Sequence, residues 1–188
     1  PGFSVTEAFN TLRTNIMFSG ENIKTVMVTS TNPAEGKSFV AMQLAKSFAD
    51  INKKVVYIDC DLRKSVTLSR YKIRGKRVGL TEYITGQKSQ LIYETNIPNL
   101  AVILSGHVVP NPIELMESKK FDDLLSVLRE RFDYVIIDSP PVGSVVDACV
   151  IAPKVDGTVM VVRSDAVGRS HAIQAKKQLE KSKGRILG

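Results

Sequence analysis

Apolar positions along the chain fall into two alternating kinds of segment. Short unbroken runs rich in β-branched residues occupy TVMVTS (25–30), KVVYIDCD (54–61), LAVILSG (100–106), DYVIIDSP (133–140) and GTVMVVRS (157–164). A run without polar alternation predicts a strand covered on both faces, as in parallel sheets, and not a half-exposed antiparallel one. Between the runs lie longer segments with apolar residues at three- and four-residue steps: GKSFVAMQLAKSFADI (36–51), SKKFDDLLSVLRERF (118–132) and VGRSHAIQAKKQLEKSK (167–183). In the second of these, Phe121, Leu124, Leu125 and Leu128 mark one face and charged residues fill the other. This alternation predicts an α/β domain, doubly wound, with a mainly parallel sheet flanked by helices and right-handed crossovers. A leading helix over about 4–19 carries Val5, Phe9, Leu12 and Ile16 as a stripe, to dock on the sheet or on a neighbouring subunit. At the other end GRILG opens a further apolar run and stops, as in a domain excised from a longer chain.

The length of 188 residues suits one domain with a substantial core and is short for two, so residues 1–188 are read as a single domain. No run approaches the roughly 18 apolar residues that span a bilayer, and no charged-then-apolar leader opens the chain; a soluble, unexported domain is expected. Cys60 and Cys149 stand far apart and read as free thiols of a reducing cytosol; His107 and His171 are isolated, which argues against a metal or triad role. The net charge of +7 gathers in two places: Arg70, Lys72, Arg74, Lys76 and Arg77, and Lys176, Lys177, Lys181, Lys183 and Arg185. Solvated faces are the simplest reading, and contact with an acidic partner or the cytoplasmic membrane surface is the next. With 6% aromatic residues and no recognisable module, sequence-specific nucleic-acid binding is not expected.

Chemistry concentrates at three strand ends. TSTNPAEGKSF (29–39) follows the first run and opens a helix, the setting of a phosphate-binding loop. The first amides of such a helix have no partner within it, and its dipole favours an anion there. Gly36 allows close approach of the backbone, Lys37 offers a mobile charge to the β- and γ-phosphates, and the Ser38 hydroxyl suits Mg²⁺. Thr31, Asn32, Pro33, Ala34, Glu35 and Phe39 complete the expected ATP-binding stretch. In VVYIDCDLRK (55–64), Asp59 and Asp61 lie two residues apart at a strand's C-terminal end and project the same way. In YVIIDSPP (134–141), a buried strand delivers Asp138, the Walker B pattern of a carboxylate on the metal side. Together these are the parts phosphoryl transfer needs, since positioning and charge neutralisation supply most of its catalysis.

TSTNPAEGKS, VVYIDCDLRK and VIIDSPP resemble the Walker A, Walker A′ and Walker B motifs of the bacterial tyrosine kinases of capsule and exopolysaccharide synthesis, the CpsD/CapB type. EAFNTLRTNI, GLTEYITG and SGHVVPNPIELMESKKFDDLL resemble further segments of that family, so the likeness covers nearly the whole chain. It implies a P-loop, partition-ATPase-like core with ATP and Mg²⁺ as cofactors, autophosphorylation on tyrosine, and regulation of capsular or exopolysaccharide synthesis and export. It implies Lys37, Asp59 and Asp61 as catalytic residues, one of the two aspartates being the base for the tyrosine hydroxyl. Ser38, Asp61 and Asp138 are the implied metal-side residues. The implied partners are a membrane-anchored activator of the polysaccharide co-polymerase type and a tyrosine phosphatase, with the kinase peripheral at the inner face of the cell membrane. A homo-oligomer through the N-terminal helix is also implied by the family's E-x-x-R-x-x-R pattern, of which Glu7 and Arg13 remain while Asn10 replaces the middle arginine. Ala34 stands where the family has glycine, with lowered nucleotide affinity expected if the loop strains it. The family's acceptor tyrosines lie in a C-terminal cluster, whereas the last tyrosine here is Tyr134, so the acceptors are expected beyond residue 188. Two alternatives use the same core: a partition or division-site ATPase without kinase activity, and a nucleotide-dependent scaffold of the polysaccharide machinery. The signature lysine of the partition ATPases is replaced by Asn32.

Overall fold

The five apolar runs become the strands Thr25–Ser30 (β1), Val55–Asp59 (β2), Leu100–Ile103 (β4), Tyr134–Asp138 (β5) and Gly157–Val161 (β6), with a two-residue edge strand, Tyr93–Glu94 (β3), ahead of β4. The computed structural model describes residues 2–63, 78–87, 90–143 and 146–188; the basic run from Arg70 to Arg77 lies outside them. Long helices form at Phe3–Phe18 (α1), Lys37–Ala49 (α2), Lys119–Arg131 (α5) and Arg169–Lys181 (α7), each within two residues of the segment its periodicity predicts. Three short helices, Leu80–Ile84 (α3), Pro112–Glu117 (α4) and Asp147–Ile151 (α6), are additions that the sequence pattern does not show.

Sheet order is β3-β4-β2-β5-β1-β6, with the antiparallel β3–β4 pair at one edge and every other pairing parallel. All residues of β1 and β2 are buried, as an unbroken apolar run requires. Side-chain alternation divides the core between two layers. Val26, Val28, Val55, Tyr57 and Ile136 face α1 and α2, meeting Ile16, Ala41, Leu44 and Phe48. Met27, Val56, Ile58, Val135 and Ile137 face the other layer, meeting Phe121, Leu124 and Leu128 of α5, Ala148 and Ile151 of α6, and Leu179 of α7. The four periodic positions of α5 are all buried, and its start is fixed by Ser118, whose hydroxyl accepts the Phe121 N–H.

The leading helix α1 docks on α2. Ile16 is its buried anchor, Phe9 meets Phe39 edge-on with ring centroids 6.0 Å apart, and Arg13 Nη1 donates to both the carbonyl and the hydroxyl of Ser47 at 2.8 Å. The last residues run parallel to β6, with a bridge between Thr158 and Ile186 and the Leu187 N–H donated to the Thr158 carbonyl.

For function the decisive feature is that β5 lies between β2 and β1. Asp138 at its end pairs in register with Asp59 on one side and with Val28 on the other, two residues before the phosphate loop begins to turn. The three motifs therefore share one crevice at the carboxyl ends of adjacent strands, where open α/β sheets hold ligands.

Candidate active site

The loop between β1 and α2 is built by its own side chains. The Ser30 hydroxyl donates to the Asn32 carbonyl at 2.7 Å, and the Asn32 N–H donates to Glu35 Oε2 at 2.8 Å. Glu35 is thereby a buried brace of the loop, a role its exposed-looking charge does not suggest. Two residues adopt left-handed backbone, Ala34 at φ 64° and Gly36 at φ 95°. Gly36 takes that conformation freely, and a Cβ there would meet nothing within 4 Å, so the space above it is open for a ligand. It is also the N-cap of α2 and has no side chain with which to cap the first-turn amides, which leaves them available to an anion.

Lys37 and Ser38 are the first two residues of α2 and both are buried. Lys37 Nζ stands 3.4 Å from Asp61 Oδ2, 3.6 Å from Asp138 Oδ1 and 3.4 Å from the Ser38 hydroxyl. One ammonium thus gathers the residues of all three motifs. Asp138 is 1% exposed, and burial pushes its carboxyl above the ordinary range. The Lys37 charge and the hydroxyls of Ser38 and Tyr57 oppose that rise, while Asp61 adds to it. The Tyr57 hydroxyl donates to Asp138 Oδ2 at 2.9 Å, whereas the buried Oδ1 has no hydrogen bond among the described residues. Asp59 and Asp61, equivalent in the sequence, differ here: Asp59 Oδ1 accepts the Asp61 backbone N–H at 3.1 Å, and Asp61 reaches Lys37. Cys60 between them is pushed well up by burial first and by the neighbouring aspartates next.

Two ties outside the motifs hold the crevice together. After β5 the chain turns back against the phosphate loop, with Val142 N–H donating to the Ser30 carbonyl and Gly143 N–H to the Thr31 carbonyl at 2.9 Å. A Cβ on Gly143 would run into that Thr31 carbonyl, so the approach demands glycine. Beyond it, the buried Asp147 in the first turn of α6 receives a two-pronged hydrogen bond from Arg63, Nε to Oδ2 at 2.8 Å and Nη2 to Oδ1 at 3.1 Å. Arg63 is held above its ordinary range chiefly by that bond. Tyr57, Gly143 and Asp147 are the residues that motif reading passes over. A tyrosine two residues before Asp59, on the same strand face, is the signal that was available for the first.

Of the expected site residues, the structure gathers Lys37, Ser38, Asp59, Asp61 and Asp138, with Thr31 to Gly36 as the loop above them. The Phe39 ring meets Phe9, while its backbone lies in the first turn of α2 beside Lys37 and Ser38. Glu7 and Arg13 are elsewhere, on α1: Asn10 links them, donating to Glu7 Oε1 at 3.3 Å and accepting from Arg13 at 3.0 Å.

Mg²⁺ can be tested against this donor set. Asp138 Oδ1, which has no hydrogen bond among the described residues, the Asp61 carboxylate and the Ser38 hydroxyl all lie 3.4–3.6 Å from Lys37 Nζ and are hard oxygen donors of the kind Mg²⁺ prefers. No three His, Cys, Asp or Glu side chains form an all-protein cage among the described residues. Mg²⁺ is commonly held by one or two carboxylates together with substrate phosphates.

A parallel α/β sheet carrying a loop-to-helix anion site and strand-end carboxylates defines a nucleotide-binding protein of the P-loop class. The AAA domain family model matches residues 23–177. Tyrosine-protein kinase CpsD of Streptococcus pneumoniae is 43% identical over 184 residues, which cover 97% of this chain and 81% of that protein. Two solved structures, the chimerical protein CapA2B2 and the kinase domain of the Escherichia coli tyrosine kinase ETK, are each 31% identical over 97% of this chain. Their TM-scores are 0.91 and 0.92, covering 81% and 73% of those chains. The chain belongs to the CpsD/CapB family of bacterial tyrosine-protein kinases of capsule and exopolysaccharide synthesis. The septum site-determining protein MinD of Pyrococcus horikoshii, solved with Mg-ADP, shares the fold at TM-score 0.71 but only 18% identity, covering 88% of this chain and 68% of that one. That likeness is one of fold alone.

Proposed function

We propose that this tyrosine kinase holds ATP on the 31–38 loop with Mg²⁺ against Ser38, Asp61 and Asp138, and passes the γ-phosphoryl group to a tyrosine hydroxyl. The observation that carries the reading is the position of Lys37 Nζ, 3.4–3.6 Å from Asp61, Asp138 and the Ser38 hydroxyl. Bound there, Mg²⁺ would neutralise charge on the transferred phosphoryl group. Lys37 is then free to leave the two carboxylates for the β- and γ-phosphates, and the first amides of α2 complete the anion cradle. Asp59 steadies the backbone that presents Asp61. That division of labour favours Asp61 as the carboxylate nearer the acceptor hydroxyl, since it is the one that faces Lys37. Tyrosine ionises near ~10, so a carboxylate can take its proton only with help from alignment and neighbouring positive charge.

The experiment follows phosphotyrosine on a Glu–Tyr copolymer with ATP and Mg²⁺. Lys37→Met should abolish the signal, and a signal that persisted would remove Lys37 from its assigned role. Asp138→Asn should eliminate the Mg²⁺-dependent part of fluorescent-ADP binding while the chain stays folded; unchanged Mg²⁺ dependence would refute the metal-side assignment.

The partner is a membrane-anchored activator of the co-polymerase type, which brings the kinase to the cytoplasmic face of the cell membrane. Support comes from the family and from the likeness to a chimera whose name joins an A and a B component. No helix among the described residues is long and apolar enough to cross a membrane. Self-association through α1 is part of the same reading, with Glu7 and Arg13 as its polar residues.

A further inference from the structure

Tyr57 lies two residues before Asp59 on β2, so the two side chains leave the strand on one face. Because Asp59 is in register with Asp138 on β5, Tyr57 is the diagonal neighbour of Asp138, a separation that a long side chain spans. Its hydroxyl meets Asp138 Oδ2 at 2.9 Å, with Tyr57 at 0% and Asp138 at 1% exposure. The other oxygen, Oδ1, faces Lys37 Nζ at 3.6 Å and has no hydrogen bond among the described residues. The two oxygens of one carboxylate are thus used differently: one is held from behind, the other is turned to the nucleotide crevice.

We propose that Tyr57 is a positioning residue for Asp138, its hydroxyl fixing Oδ2 so that Oδ1 alone is presented to the metal side of the site. A carboxylate turns readily about its terminal torsion, which is broad and roughly two-fold, and Asp138 is the last residue of its strand. A buried donor on Oδ2 restrains the carboxylate plane. It also satisfies an oxygen that no water can reach, and hydrogen bonds to charged groups in such surroundings are the strong ones. A residue needed only to fill the sheet face would act through its ring, and phenylalanine supplies the same ring.

The test separates ring from hydroxyl. Fluorescent ADP is titrated into wild type, Tyr57→Phe, Asp138→Asn and the double variant, each with Mg²⁺ and with chelator. Tyr57→Phe should bind ADP normally in chelator but lose about tenfold of the affinity gained with Mg²⁺, the size expected for one hydrogen bond to a charged group. On the Asp138→Asn background the same change should cost nothing more in that gain. In kinase assays Tyr57→Phe should lower kcat while the KM for the tyrosine substrate stays put. A full Mg²⁺ gain in Tyr57→Phe overturns the inference. The inference rests on the metal-side reading of Asp138, and the two fail differently: a full gain in Asp138→Asn removes that reading and this one with it, whereas a gain lost in Asp138→Asn but kept in Tyr57→Phe removes only the role of Tyr57. Should Tyr57→Phe unfold, a folded double variant supports a hydroxyl that serves the Asp138 charge, and an unfolded double variant assigns Tyr57 to packing.

Discussion

Ala34 occupies the left-handed region at φ 64°, two residues before Gly36. For a residue with a Cβ that conformation costs about 1–2 kcal/mol, so the alanine is tolerated under strain. Ala34→Gly should relieve it and raise the melting temperature, by about 2–4 °C for each ~1 kcal/mol in a chain of this size. A melting temperature that stayed level or fell would show an unstrained loop. The neighbouring residues illustrate what a sequence can carry at this scale. Lys37, Ser38, Asp59 and Asp138 were legible because each sits at a fixed step from a strand end or helix start, and local geometry decides where it points. Tyr57 and Asp147 were not, because their partners are 81 and 84 residues away in the chain. Only the neighbourhood of strands, which no local pattern encodes, brings them together.

Among elements, the long helices and buried strands emerge from periodicity, which needs several turns or several alternations to register. Helices of five or six residues such as α3, α4 and α6, and a strand of two residues such as β3, are too short to show a period. Yet α6 matters, because its buried Asp147 is where Arg63 ties the segment after β2 to the segment after β5. Asp147→Asn keeps the shape but removes the charge from a two-pronged pair whose arginine end is 41% exposed. Allowing for that exposure, a loss of about 1–2 kcal/mol is expected, read as a lower urea midpoint, with a fall in kinase activity beside it. Arg63→Lys should do the same, since an ammonium cannot reproduce the fork. The α1–α2 contact offers a second test. In Asn10→Arg a cation replaces one of the three acceptors of the Arg13 guanidinium and restores the three-charge pattern, so sedimentation should show more self-association; an unchanged profile would count against α1 as the assembly element.

Across the whole molecule, acid should act through carboxylates outside the three motifs. Burial raises Asp156, but the Thr25 and Lys24 N–H groups and Arg129 outweigh it and hold the group below the ordinary range. Burial likewise raises Glu82, and His107 together with the Gly79 and His107 N–H groups outweighs it. A carboxyl lowered by folding stabilises the fold above its unfolded pKa, and that contribution is lost as pH falls through the lower, folded value. Asp138, raised by burial, has the opposite sign: its ionisation weighs against the fold, and the penalty lifts as pH falls through its raised value. Urea midpoints should therefore drop below about pH 4, where free carboxyls begin to protonate, and Asp156→Asn should flatten that decline. An equally steep decline in the variant would place the acid sensitivity elsewhere.

The position of β5 between β1 and β2 has a consequence for how the chain comes to life. β5 is the strand that pairs with both β1 and β2, so without it the β3-β4-β2 set and the β1-β6 pair share no ladder. Inserting it is a long-range event, and such pairings set the pace of folding. Nucleotide finds its full set of contacts only after β5 is in place, so by mass action it stabilises the finished sheet and no precursor of it. Bound nucleotide thereby favours the completed sheet, and β5, the strand that joins its two parts, completes the site.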